Sequence, residues 1–133
     1  MMMKYVYPAI FTEEENGYYS VRFDDIEGCF TSGASLEEAM DMAKDALCLM
    51  LYTLEEEEEE IPKASDIRNV FTDENEFVSL IQCDTIEYRK FFNNKAVKKT
   101  LSIPAWLNDM AEKRDINFSA TLQNALKQQL NIE

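Results

Sequence analysis

Residues 35–54, SLEEAMDMAKDALCLMLYTL, decide how the N-terminal part of this chain folds. Ser35, with Glu38 three residues on, has the form of a capping box: the hydroxyl accepts from the backbone near Glu38 and the carboxylate returns a bond. Apolar side chains then recur at Leu36, Ala39, Met40, Ala43, Leu47, Met50, Leu51 and Leu54. That spacing follows a 3.6-residue period and predicts one amphipathic helix over 36–54, packed on a sheet. Lys44 and Asp45 lie inside its most apolar part, which is too short to cross a bilayer.

Working back from that helix, the sequence predicts three short strands. Tyr5 to Phe11 and Tyr18 to Phe23 flank Asn16-Gly17, a strong two-residue hairpin signal. Gly28-Cys29-Phe30-Thr31, with an exit turn at Gly33, reads as the third strand of a meander. Working forward, Glu55 to Glu60 is a run of six glutamates, read as a frayed and solvated helix end; the competing reading is an electrostatic lure for a basic partner. Ile61-Pro62 is expected to stop the helix. Glu76 to Cys83 predicts a fourth strand. Asp84-Thr85-Ile86-Glu87 is a second capping box, opening a short helix through Phe92.

Asn93-Asn94-Lys95 is polar and marks the expected boundary: a domain over 1–92, a linker over 93–96 and a second module over 97–133. In that module Val97, Leu101 and Ile103 alternate with Lys98, Thr100 and Ser102, as on a half-buried strand. Lys99 falls on the apolar side, where its stem can snorkel. Pro104 suits the first position of a helix that runs to about Arg114. Asp115-Ile116-Asn117 breaks the chain, and Asn117 or Ser119 caps a last helix carrying Leu122, Ala125, Leu126 and Leu130. Neither a lone strand nor two short helices can close a core, and a two-fold dimer solves both problems.

Charge divides the chain in the same region. Up to Tyr88 there are 22 acidic and 5 basic residues, a balance of −17; from Arg89 onward there are 8 basic and 4 acidic, a balance of +4, which together give the net −13. The acidic part should attract a basic partner and the basic part a nucleic acid. The chain has no histidine, and Cys29, Cys48 and Cys83 stand at no metal-ligand spacing. Neither a metal site nor a catalytic group is therefore read from the sequence, and no cofactor. Buried, reduced thiols and the lack of a signal peptide or spanning segment place the expected protein in the cytoplasm, away from membranes.

The tail resembles the ribbon-helix-helix family of repressors on an alternating polar strand, a proline at its end and two short helices split by a break. That resemblance implies paired strands in the major groove, with Lys98, Lys99, Thr100 and Ser102 on the DNA and the helix start at Asn117 and Ser119 beside a phosphate. The front half resembles the HicB domain of type II toxin–antitoxin systems. Tyr7-Pro8-Ala9, the Asn16-Gly17 turn, the Tyr18 to Phe23 strand, Asp25-Ile26-Glu27-Gly28-Cys29 and Ser35-Leu36-Glu37-Glu38-Ala39 carry it. It implies an α+β chain: a partial ribonuclease H-like β-β-β-α-β domain, then the ribbon-helix-helix β-α-α dimerisation module. It also implies an antitoxin that masks a small basic mRNA-cleaving HicA-type toxin, with Tyr18, Asp24, Asp25 and Glu27 as toxin contacts. Repression of its operon by operator DNA binding, as a homodimer or higher homo-oligomer, completes the reading.

Two alternatives come from the residues themselves. Asp24, Asp25, Glu27 and Asp41 could form a two-metal carboxylate cluster of a ribonuclease H-like nuclease. Tyr18, Tyr19, Phe23 and Phe30 could line a ligand pocket in a stand-alone ribbon-helix-helix repressor.

Overall fold

The computed structural model describes residues 4–132, and the chain divides into two compact units, one ending at Lys95 and one beginning at Ala96. The fold is mixed α/β. The first unit contains strands β1 (Lys4–Glu13), β2 (Tyr19–Arg22) and β3 (Phe30–Gly33), helix α1 (Leu36–Glu56), strand β4 (Glu76–Asp84) and helix α2 (Thr85–Phe92). The four strands form one antiparallel sheet in the order β3-β2-β1-β4. The hairpin signal works as read: Asn16 and Gly17 both take left-handed backbone angles, φ 66° and 79°, which Asn and Gly adopt at little cost. Strand β1 runs through Pro8 as expected and extends one residue before and two beyond the expected Tyr5 to Phe11. Residues 4–9 of β1 pair with β4 alone, and proline is tolerated where one side of a strand is open.

Tyr7, Ala9 and Phe11 of β1 point to the helix side, where they meet Val21, Ile81 and Cys83 and the α1 residues Ala39, Ala43, Leu47, Cys48 and Leu51. Leu36 and Met40 were expected on this face but are exposed, and Cys48 fills the core instead. All three cysteines are buried free thiols. Burial pushes the Cys29 thiol up to about 11, so it is not an accessible nucleophile. Gly33 lets the helix approach: a Cβ there would stand 2.4 Å from the Ala39 backbone nitrogen.

At the start of α1 the hydroxyl half of the expected capping box forms, with Ser35 Oγ accepting from the Glu38 amide at 3.1 Å. Its end differs. The helix stops at Glu56, before Ile61-Pro62, because Glu58 turns left-handed at φ 54° and the Glu59 amide donates to the Leu54 carbonyl at 2.9 Å. Asp115 and Asn131 end the two later helices with the same turn.

The glutamate run is likewise not uniformly solvated. Glu55 extends the i+4 row of Ala43, Leu47 and Leu51, and its side chain is only 4% exposed. Its carboxylate accepts from Tyr5 Oη at 2.7 Å, Thr85 Oγ1 at 3.0 Å and Arg89 at 2.8 Å. Arg89 also pairs with Glu56 and lies 4.7 Å over the Tyr52 ring. This node ties the end of α1 to the start of β1 and to α2. Helix α2 itself is capped by Asp84, which accepts from the amides of Ile86 and Glu87.

The second unit contains α3 (Ala105–Lys113) and α4 (Phe118–Gln129). Pro104 precedes α3 as its cap residue rather than opening it, and Asn117, not Ser119, caps α4 by accepting from the Ala120 amide at 2.9 Å. Residues 97–103, expected as a strand, form no strand and pair with none among the described residues. None of the described helices is long and apolar enough to cross a membrane.

The Glu55 node predicts that Glu55→Ala lowers the unfolding free energy by about 2–4 kcal/mol, since it removes charge-assisted bonds from a buried site. Changing Glu57, Glu58, Glu59 and Glu60 together to Gln should leave it within about 0.5 kcal/mol. Urea unfolding of the two variants distinguishes an anchor from a solvated run.

Candidate functional site

The acidic loop between β2 and β3 is a small closed structure. The Phe23 amide donates to the Cys29 carbonyl at 3.0 Å, and Ile26 and Cys29 are buried as its anchors. This closure turns Asp24, Asp25 and Glu27 outward. Asp24 pairs with Arg22 at 3.0 Å. Asp25 reaches across the fold to residues 61–75, which join α1 to β4. It accepts from the Ser65 amide at 2.9 Å and from the Ser65 hydroxyl. Tyr7 Oη donates to the Pro62 carbonyl close by. Burial, and then the Asp25 charge, raise the Tyr7 phenol above its ordinary value, so it stays a donor.

The connecting segment is thus a strap. Its first part, at Ile61 and Ala64, packs on the core cluster. Its later part lines a cavity of about 700 Å³ with Pro8 and Ile10, which alternate with the core residues of β1 and so face the other side of the sheet. Ile10 is only 3% exposed yet stands apart from the core cluster, because the strap shelters it. Asp24 and Asp25 line the same cavity.

Across this outer face one row runs Phe30, Arg22, Ile10, Val78, and the next pair is Pro8 and Leu80. Arg22 bridges Asp24 and Glu76, the latter at 2.7 Å. The Arg22 guanidinium, with the Asp73 amide, holds the Glu76 carboxyl below the usual glutamate range.

Of the four toxin contacts expected from sequence, the structure brings Asp24 and Asp25 to one cavity. Tyr18 is half-exposed at the hairpin turn and Glu27 is exposed on the loop; neither lines that cavity. The carboxylates Asp24, Asp25, Glu27 and Asp41 do not converge: among the described residues no group of three or more His, Cys, Asp or Glu side chains could hold a metal. The four aromatics proposed for a pocket are also dispersed. Phe23 is in the core, Phe30 stands on the opposite face and is 74% exposed, and Tyr19 packs edge-on against Phe77. The strap was the part that sequence reasoning missed; Ile61-Pro62, read as the stop of the helix, marked only where it begins.

In the second unit Lys98, Lys99, Thr100 and Ser102 are exposed on the segment before α3. Asn117 is occupied as the α4 cap, and Ser119 Oγ accepts from the Gln123 side chain at 3.1 Å. No described residue from 96 to 132 is buried. Val97, Leu101, Ile103, Trp106, Met110 and Leu130 are all exposed.

The family model for the HicB_like antitoxin of bacterial toxin-antitoxin system matches residues 7–125, which include both units. This chain belongs to the HicB-like antitoxin family. It is similar to a 14.9 kDa protein from the rep-hol intergenic region of Haemophilus phage HP1, 32% identical over 77% of this chain and 75% of that one. It is 36% identical to antitoxin HicB 1 of Photorhabdus laumondii over 50% of this chain and 43% of the relative. In three dimensions this HicB-like chain is similar to a chain of a toxin–antitoxin complex from Streptococcus pneumoniae. The TM-score is 0.61 at 29% identity, over 96% of this chain and 99% of that chain.

The Arg22–Glu76 bridge gives a pH-dependent prediction. A carboxyl whose folded value is depressed contributes stability that is complete above its unfolded value, about 4.3. That contribution is lost as pH falls through the lower folded value. Glu76→Gln should therefore be less stable than the parent at pH 7, and the gap should close as pH drops below about 4.3. Thermal unfolding of both proteins across that range measures it.

Proposed function

We propose that this HicB-like antitoxin works through two units with separate tasks. The first, over 1–92, masks a small basic HicA-type toxin. The second, over 97–133, pairs with a second copy as a ribbon-helix-helix module and binds operator DNA, repressing its own operon. On this reading the first unit's β-β-β-α-β order is a partial ribonuclease H-like fold that performs no chemistry. Masking needs surface and charge complementarity alone, which an acidic surface supplies to a basic partner.

The observation that carries the reading is that none of the second unit's described residues is buried, although apolar side chains stand exposed. A segment that alternates polar and apolar residues but has no strand partner is completed by a copy of itself, antiparallel about a two-fold axis. Val97, Leu101 and Ile103 then pack on the helices, while Lys98, Thr100 and Ser102 stay on the outer side of the ribbon. From there they reach base edges, with Lys99 beside the backbone. The first turn of α4, at Asn117 and Ser119, presents amides to a phosphate.

Lys98→Ala with Thr100→Ala should weaken operator binding at least about tenfold, given about 1–3 kcal/mol per lost base contact, and leave toxin neutralisation intact. A band shift and a co-expression survival assay measure the two. Unchanged DNA affinity removes the ribbon assignment. A chain ending at Asn94 should lose DNA binding yet still protect cells, and cell death there assigns neutralisation to the tail.

A further inference from the structure

The first unit has a complete core of its own, yet it presents Phe71 with 90% of its surface exposed. Burying such a side chain is favourable, and the fold leaves it outside. The exposure does not come from a loose loop. On the N-terminal side the strap is pinned by Asp25 to Ser65 and by the turn at Ile67–Asn69, where Asp66 accepts from the Arg68 amide. On the C-terminal side the Asp73 amide donates to Glu76 at 3.0 Å, and the Glu13 amide donates to the Asn75 carbonyl at 2.9 Å. Phe71 sits between these fastenings at the mouth of the cavity floored by Pro8 and Ile10. Leu80, half-exposed, is paired with Pro8 on the same outer face.

Charge selects the occupant. From Glu58 to Glu76 there are seven acidic and two basic residues, and Asp73 and Glu74 lie two and three residues beyond Phe71. A second copy would set acid against acid, and a nucleic acid would be repelled. A basic protein with an apolar pocket ringed by Lys or Arg is complementary on both counts.

We propose that the strap is the docking element for the basic toxin and that Phe71 is its anchor, inserted into an apolar pocket of the toxin while Asp73 and Glu74 meet the cationic rim. This rests on the antitoxin reading above. Because both ends of the strap are fastened in the free protein, little ordering entropy is lost on binding. An exposed, preorganised aromatic is the kind of residue that dominates an interface.

The test uses the full chain and the toxin encoded with it, by titration calorimetry. Phe71→Ala should weaken binding at least about 30-fold, the loss expected of a hot spot, with an unchanged melting temperature. Phe92→Ala, an exposed aromatic on α2, should stay within about twofold, as a bystander does. Asp73→Asn with Glu74→Gln should slow association and flatten its salt dependence. If the parent chain binds no toxin, the antitoxin reading itself falls, and the anchor with it. If the parent binds and Phe71→Ala binds equally well, only the anchor falls. Equal losses in Phe71→Ala and Phe92→Ala also overturn it. So does a change confined to oligomeric state by sedimentation, which would make a second copy the occupant.

Discussion

One helix can cover one face of a sheet, and much of the first unit follows from that constraint. Helix α1 lies close on the helix side because Gly33 carries no Cβ to strike the Ala39 backbone. The same contact leaves Pro8, Ile10, Val78 and Leu80 on the far side without a helix. An antiparallel sheet can face water there only if that face is polar, and this one is partly apolar. The strap is the answer the sequence found. It leaves the end of α1 at a left-handed turn, runs past the open half of β1 and shelters Ile10 before β4 begins. Asp25 fastens it by hydrogen bonds to backbone and side chain of one serine, which makes the acidic loop a structural clasp as well as a charged surface.

The regular elements were legible because they repeat. Short apolar and β-branched runs bounded by turn residues placed β1, β2 and β4, the Asn16-Gly17 pair placed the hairpin, and a serine with a glutamate three residues later placed the start of α1. The ends were less legible. Glu58, Asp115 and Asn131 each adopt a left-handed angle usually given to glycine, and nothing in a run of glutamates marks which one will turn. Glu55 was legible in principle: one more step of four beyond Leu51 lands on it, and a carboxylate on the apolar side of a helix needs a partner. Arg89 supplies that partner from a distance in sequence that no local pattern can span.

The four expected toxin contacts were read as one set, from the resemblance and not from a local pattern. The structure keeps Asp24 and Asp25 together at the cavity. The loop folds on itself through Ile26 and Cys29, and Glu27 and Tyr18 do not line that cavity. A phenylalanine in an irregular segment carries no signal of its burial. Phe11 and Phe71 are the same letter, one at 0% exposure and one at 90%.

The two units meet the cost of exposed apolar surface in opposite ways, and the contrast bears on how they would cooperate. The first closes its core within itself and leaves Phe71 outside on a fastened strap. The second buries none of its described residues. Under the proposed reading its core exists only when two copies meet, so DNA affinity depends on chain concentration whereas toxin masking does not. Charge sharpens the difference. A balance of −17 up to Tyr88 opposes a +4 tail on every copy, so the ribbon must overcome repulsion from its own front half near a phosphate backbone. A basic partner seated on the strap would neutralise part of that front. Toxin binding and DNA binding would then reinforce one another through electrostatics alone, without any change of conformation.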